Sequence, residues 1–154
     1  MSTAGFEYAY NFNGSNASVP VIQDVTLGVA AAHAKGDLVL IQADGFVDQV
    51  VGSIGEVTAV MAETVAAADI TAGVTTAKAY ILQRNQVWRC SSDAATSTAV
   101  KGYTKTLDTT DCNTIDASDI VNGSMIYAGA GDKLDSDGNL IMYVVFADTT
   151  YGGV

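Results

Sequence analysis

Cations are scarce in this sequence: seven Lys and Arg stand against seventeen Asp and Glu among 154 residues, giving a formal charge of -10. Nucleic-acid binding draws its affinity from neutralised phosphates, and anionic membrane surfaces attract basic clusters, so neither is an expected partner. Long apolar runs are missing as well. Hydrophobic residues make up 49% of the chain, yet no run approaches the roughly 20 residues of a membrane-spanning helix. The opening "MSTAGFEY" has no basic stretch followed by an apolar core, so synthesis in the cytoplasm without secretion is the expectation. Histidine occurs once, as His33 in "AAAHAKGD". Nothing around it has the strand–turn–helix setting of an activated nucleophile, and a surface or cap histidine is the plainer reading. Cys90 and Cys112 have no second pair, which excludes a four-thiolate zinc site within one chain. Two free buried thiols are expected, with a single disulfide as the alternative.

Signatures for ions, phosphates and cofactors are absent too. "DKLDSDGNL" (132–140) looks like a calcium loop, but aligning Gly138 with the loop glycine puts Lys133 at the first ligand position and Val144 where a bidentate Glu belongs. A tight turn through Asp137 and Gly138 explains the same letters. A weak site among Asp132, Asp135 and Asp137 is the alternative. No phosphate-loop or dinucleotide fingerprint occurs. The sequons at Asn13, Asn16 and Asn122 carry little weight without secretion. Carboxylates are numerous but scattered, as on a solvated face. The expectation is a noncatalytic protein with no cofactor and no metal.

What is present reads mainly as strand. "DLVLI" (37–41) and "GFVDQVV" (45–51) flank an Asp44-Gly45 turn, the local cue for a hairpin. "GEVTAVMAETV" (55–65), "AKAYILQ" (77–83) and "QVWRC" (86–90) are rich in Val, Thr and aromatics. "NLIMYVVFA" (139–147) is apolar on both alternating faces, so it is expected to be a central strand covered on both sides. "GVAAAHAK" (28–35) and "AETVAAADI" (62–70) are candidates for short helices. The Ser, Thr and Asp rich tract from about 91 to 119 reads as long surface loops around a short strand near Tyr103. "Asp-Ile-x-x-Gly" occurs at Asp69–Gly73 and Asp119–Gly123 and reads as two similar turns.

The N-terminus places Phe6, Tyr8, Tyr10 and Phe12 at every second position, which in an unbroken strand puts all four rings on one face. Burying them is worth about 1.5–3 kcal/mol each. Something must cover them. Either this is the first strand of the domain's own sheet, or it is an arm tethered by "NGSNASVP" (13–20) that adds to a partner's sheet edge.

The run from Lys35 to Leu82 resembles the small β-rich head decoration, or capsid cement, proteins of tailed bacteriophages. Gly36 and Asp37 before an apolar strand, and the turn letters Asp69, Ala72 and Gly73, carry the resemblance. It implies a compact domain, often trimeric, that sits on the outer surface of the shell and uses an N-terminal arm to extend a sheet of the major capsid protein. The resulting expectation is a mainly β protein, a compact β-barrel or β-sandwich-like domain with one or two short helices. An extended arm would occupy residues 1–19 and a single β-rich domain residues 20–154. Its function would be to stabilise an expanded phage capsid from the virion exterior, binding the major capsid protein through Phe6, Tyr8, Tyr10 and Phe12 and assembling as a homotrimer. A tail or head-fibre domain is the alternative within the same particle. A carbohydrate-binding β-sandwich, with Trp88 beside Tyr80 or Tyr103 as a stacking platform, is the alternative from another class.

Overall fold

A computed structural model describes residues 5–11, 20–28, 31–50, 58–83, 86–99, 105–118 and 125–146. The elements in chain order are β1 (Glu7–Asn11), β2 (Val21–Thr26), β3 (Leu38–Ile41), β4 (Val47–Gln49), β5 (Ala59–Met61), α1 (Ala67–Thr71), β6 (Thr76–Ile81), β7 (Gln86–Ser91), β8 (Lys105–Asp111), β9 (Thr114–Asp116), β10 (Met125–Leu134) and β11 (Leu140–Phe146). The protein is mainly β and sandwich-like. A six-stranded sheet runs β1-β7-β11-β10-β8-β9 and a five-stranded sheet runs β2-β6-β5-β3-β4, with every strand pair antiparallel.

Strict alternation along the strands of the five-stranded sheet divides its apolar residues between two cores. Leu38, Leu40, Val60 and Tyr80 face the six-stranded sheet, where they meet Trp88, Cys90, Met125, Met142, Val144 and Phe146. Val39, Ala59, Met61, Ala77, Ala79 and Ile81 point the other way, into a second cluster with Val25, Leu27 and Val47. Among the described residues no further sheet covers that second face. An isolated parallel bridge between Thr26, at the end of β2, and Phe46, just before β4, brings the two outer strands together. The sheet therefore curls around its own side chains, short of a closed barrel, with Val65 and the half-buried Ile70 of α1 packed against the cluster.

Local chemistry explains the turns. The Asp44-Gly45 hairpin joins β3 to β4, with Gly45 at φ +87° and the Phe46 amide donating to Asp44 Oδ1 at 3.0 Å. The first "Asp-Ile-x-x-Gly" is the helix itself: Asp69 accepts from the Ala66 amide at 3.1 Å, and Gly73, at φ +111°, ends it. The second copy lies outside the described residues. The other helix candidate, around residue 33, is extended where it is described, because His33 and Val65 exchange main-chain hydrogen bonds of 2.9 and 2.8 Å. The tract read as loop contains β8 and β9. Their Thr-rich alternation suits a pleated surface although it is poor in large apolar residues, and Ile115 of β9 is buried in the first core. Tyr103 lies outside the described residues.

The segment expected as an arm carries β1, which pairs with β7 at the edge of the six-stranded sheet. A main-chain contact helps to fix its entry. Gly5 has φ +75°, and the Phe6 amide donates to the Gly36 carbonyl at 2.9 Å. A Cβ on Gly5 would lie 2.6 Å from that carbonyl oxygen. Gly5→Ala thus combines a left-handed strain with a backbone clash, whereas Gly45→Ala carries the strain with open space around it. Denaturant unfolding should show Gly5→Ala the more destabilised of the two, by about 1–3 kcal/mol relative to the parent chain. Equal losses would mean that the contact with Gly36 is not formed.

Candidate functional site

The inner face of the six-stranded sheet is closed, so any site on this layer belongs to its outer face or its edges. β11 is central, between β7 and β10, as the sequence predicts. Its inner residues Met142, Val144 and Phe146 are fully buried, but on the outer face, where Val145 is buried, Ile141 and Tyr143 are only half-buried. The expected cover on both sides is incomplete. The cause lies next door: β10 places Gly129 opposite Tyr143, and Ala128 sits in an irregular step of the register. With so little side chain there, a hollow of about 560 Å³ opens, lined also by Tyr8, Ala9, Tyr10 and Arg89.

A β-bulge supplies Tyr10. The register of β1 against β7 shifts between Tyr8 and Tyr10, and an extra residue at a bulge reverses the alternation beyond it. Phe6 is therefore in the core, 5.4 Å from the ring of Phe146, and Tyr8 meets Trp88 edge-on at 5.8 Å. Tyr10 instead stands on the outer face, 50% exposed, with its ring centroid 6.3 Å from that of Tyr143. Asn11 turns inward and is buried. The expectation that all four rings share one face is corrected by this bulge, for which the letters "YAY" give no cue. Phe12 lies outside the described residues.

Across the hollow, Arg89 donates from Nε and Nη2 to Glu7 Oε2 at 2.9 and 2.7 Å. Glu7 and Tyr143 are its direct cross-strand neighbours on either side. Hydrogen bonding to Glu7 first, and to Tyr143 in addition, holds the guanidinium more firmly protonated than usual. Beyond the ion pair lies a second hollow of about 220 Å³, bordered by Gly5, Ser91 and Ile141.

The other residues singled out by sequence have structural placements. Trp88 is fully buried, with Tyr80 at 6.1 Å, so the stacking platform imagined around it is part of the core. Asp135 Oδ1 accepts from the amides of Asp137 and Asn139, both at 2.9 Å, and Gly138 has φ +83°: the apparent calcium loop is the β10–β11 turn. The Asn139 amide is the main reason that the Asp135 carboxyl titrates below its ordinary range. The side chain of Asp132 and the sequons at Asn13, Asn16 and Asn122 lie outside the described residues. Among the described residues no three His, Cys, Asp or Glu side chains gather as a metal-binding group, and no helix is long and apolar enough to cross a membrane. No protein-family model, curated protein or solved structure matches this chain.

Both cysteines are free and buried. Burial pushes the Cys112 thiol up to about 12 and the Cys90 thiol higher still. Neither should react with a thiol reagent at pH 8 until the chain unfolds; fast labelling of the native protein would contradict the packing around them. His33 is buried, and that burial lowers its pKa below 6.5 against the opposing pull of Asp37 and Asp48. The unfolded chain takes up a proton on this residue at a higher pH than the native one does. Its contribution to stability is therefore complete above pH 6.5 and lost as pH falls below that value. His33→Gln should flatten the stability profile between about pH 6.5 and 5. An unchanged slope would show that His33 is solvated.

Proposed function

We propose that this chain is a noncatalytic structural virion protein that binds the outer surface of a bacteriophage capsid and stabilises the expanded shell, acting as a homotrimer and docking on the major capsid protein through its N-terminal strand. The observation that carries this reading is the position of β1. Among the described residues β7 is the one strand that pairs with it, and an edge strand paired on one side offers main-chain groups to which a partner's strand can add. The resemblance carried by Gly36, Asp37, Asp69, Ala72 and Gly73 supplies the class of partner. The charge of -10 suits an exterior position, away from packaged nucleic acid.

The packing of β1 bears on how such docking would proceed. Peeling the strand away would expose Phe6 and Tyr8, at a cost of about 1.5–3 kcal/mol for each ring fully withdrawn from the core. Docking that leaves β1 in place avoids this loss. Phe6 and Tyr8 then hold the edge rigid, and Tyr10 is free to contact the partner beside the added strand.

Co-sedimentation with expanded phage heads that lack decoration tests the reading. The full chain should bind saturably. Tyr10→Ala should weaken binding by about tenfold with its unfolding midpoint unchanged, while Phe6→Ala should lose about 3–5 kcal/mol of stability. If the full chain stays in the supernatant at saturating concentration, the capsid reading fails.

A further inference from the structure

The outer face beside β1 is made of side chains, whereas the docking reading rests on the strand's main-chain edge and shares only Tyr10 with this face. We propose that this face is a binding site for a neutral, linear oligosaccharide, seated on the adjoining rings of Tyr10 and Tyr143 and lying across the Glu7–Arg89 ion pair.

The larger hollow, about 560 Å³, falls in the range of roughly 300–1,000 Å³ typical of small-molecule sites. Its walls are two tyrosine rings inclined at 36° to one another, apolar faces against which the C–H face of a pyranose can lie. Its floor at Ala9, Ala128 and Gly129 has almost no side chain, which lets a ring settle close to the sheet. Arg89 and Glu7 place guanidinium donors next to carboxylate acceptors, both half exposed. Neighbouring hydroxyls on a sugar both donate and accept, so they match such a pair. Arg89 lines both this hollow and the second one, which reaches Ile141, and two neighbouring hollows favour a chain of sugars over a single one.

Other ligand classes fit less well. The Arg89 charge is already matched by Glu7, and the chain's charge of -10 repels anions. An extended peptide needs partners for its amides, which sheet edges supply and a face of side chains does not.

The full-length chain should be titrated with neutral hexasaccharides of β-1,4-glucose, α-1,4-glucose, β-1,4-mannose and β-1,4-N-acetylglucosamine, followed by NMR. One or more should shift signals confined to residues 7–10, 89, 128–129 and 143. Tyr143→Ala should weaken that binding at least about tenfold with the unfolding midpoint kept. Ala128→Leu, which fills the floor and leaves every polar group, should do the same, and it decides the matter if the tyrosine variant fails to fold. The proposal is overturned if no saccharide shifts these signals at about 10 mM, if the shifts fall elsewhere on the protein, or if both variants bind as the parent does.

Discussion

The burial of Trp88 between the two sheets is the interaction on which the rest of this structure depends. Its indole is touched by Tyr8 from β1 and by Tyr80 from β6, so one side chain ties the N-terminal edge strand, its neighbour β7 and the facing sheet together. Truncating a fully buried ring of this size typically costs about 3–5 kcal/mol. The placement also decides what remains for function. With Trp88 and Tyr80 inside, Tyr10 and Tyr143 are the aromatics among the described residues that stand on the opposite face of this layer.

A second constraint is the two-sided apolar character of β3, β5 and β6. A sheet with one flat partner leaves such strands exposed on the far side. Curling, fastened by the Thr26–Phe46 bridge, buries that side within the sheet itself. The letters on which the family resemblance rests belong to the fastenings of this unit. Gly36, at φ +92°, meets Gly5 and carries the acceptor for Phe6. Asp37, buried, accepts from the Ala34 amide at 2.8 Å, from Gln49 at 2.9 Å and from Asn113 at 3.3 Å, joining a loop, β4 and the β8–β9 turn. Asp69, Ala72 and Gly73 cap and close α1.

Much of the fold was legible in the sequence because period-2 patterning and turn chemistry act locally. The Asp44-Gly45 hairpin, the central place of β11 and the strand natures of β3, β6 and β7 all follow from residues within a few positions of each other. What was not legible depends on residues far apart or on backbone irregularity. The bulge that turns Tyr10 outward is set by pairing with β7, eighty residues away in sequence. The hollow beside Tyr143 exists because Gly129 falls opposite it across a strand pair whose register is itself irregular. The tract from 91 to 119 reads as loops around one short strand near Tyr103, and the full extent of β8 and the presence of β9 are missed because Thr and Asp carry weak apolar signal even where the strand has a buried partner. Of the residues lining the larger hollow, Tyr8 and Tyr10 stand out in the sequence by their alternation, but on one shared face, and nothing in the sequence singles out Arg89 or Tyr143.

The central claim of the proposal is that β1 is a fixed edge of the protein's own sheet, paired among the described residues with β7 alone, and adds a partner's strand on its other side. Amide hydrogen exchange on the free chain and on the chain bound to expanded heads tests this most directly. The account predicts that residues 7–11 are already partly protected in the free chain and gain protection on binding. Full exchange of these amides in the free chain, or loss of their protection on binding, would show instead a detached or peeled arm and would contradict it.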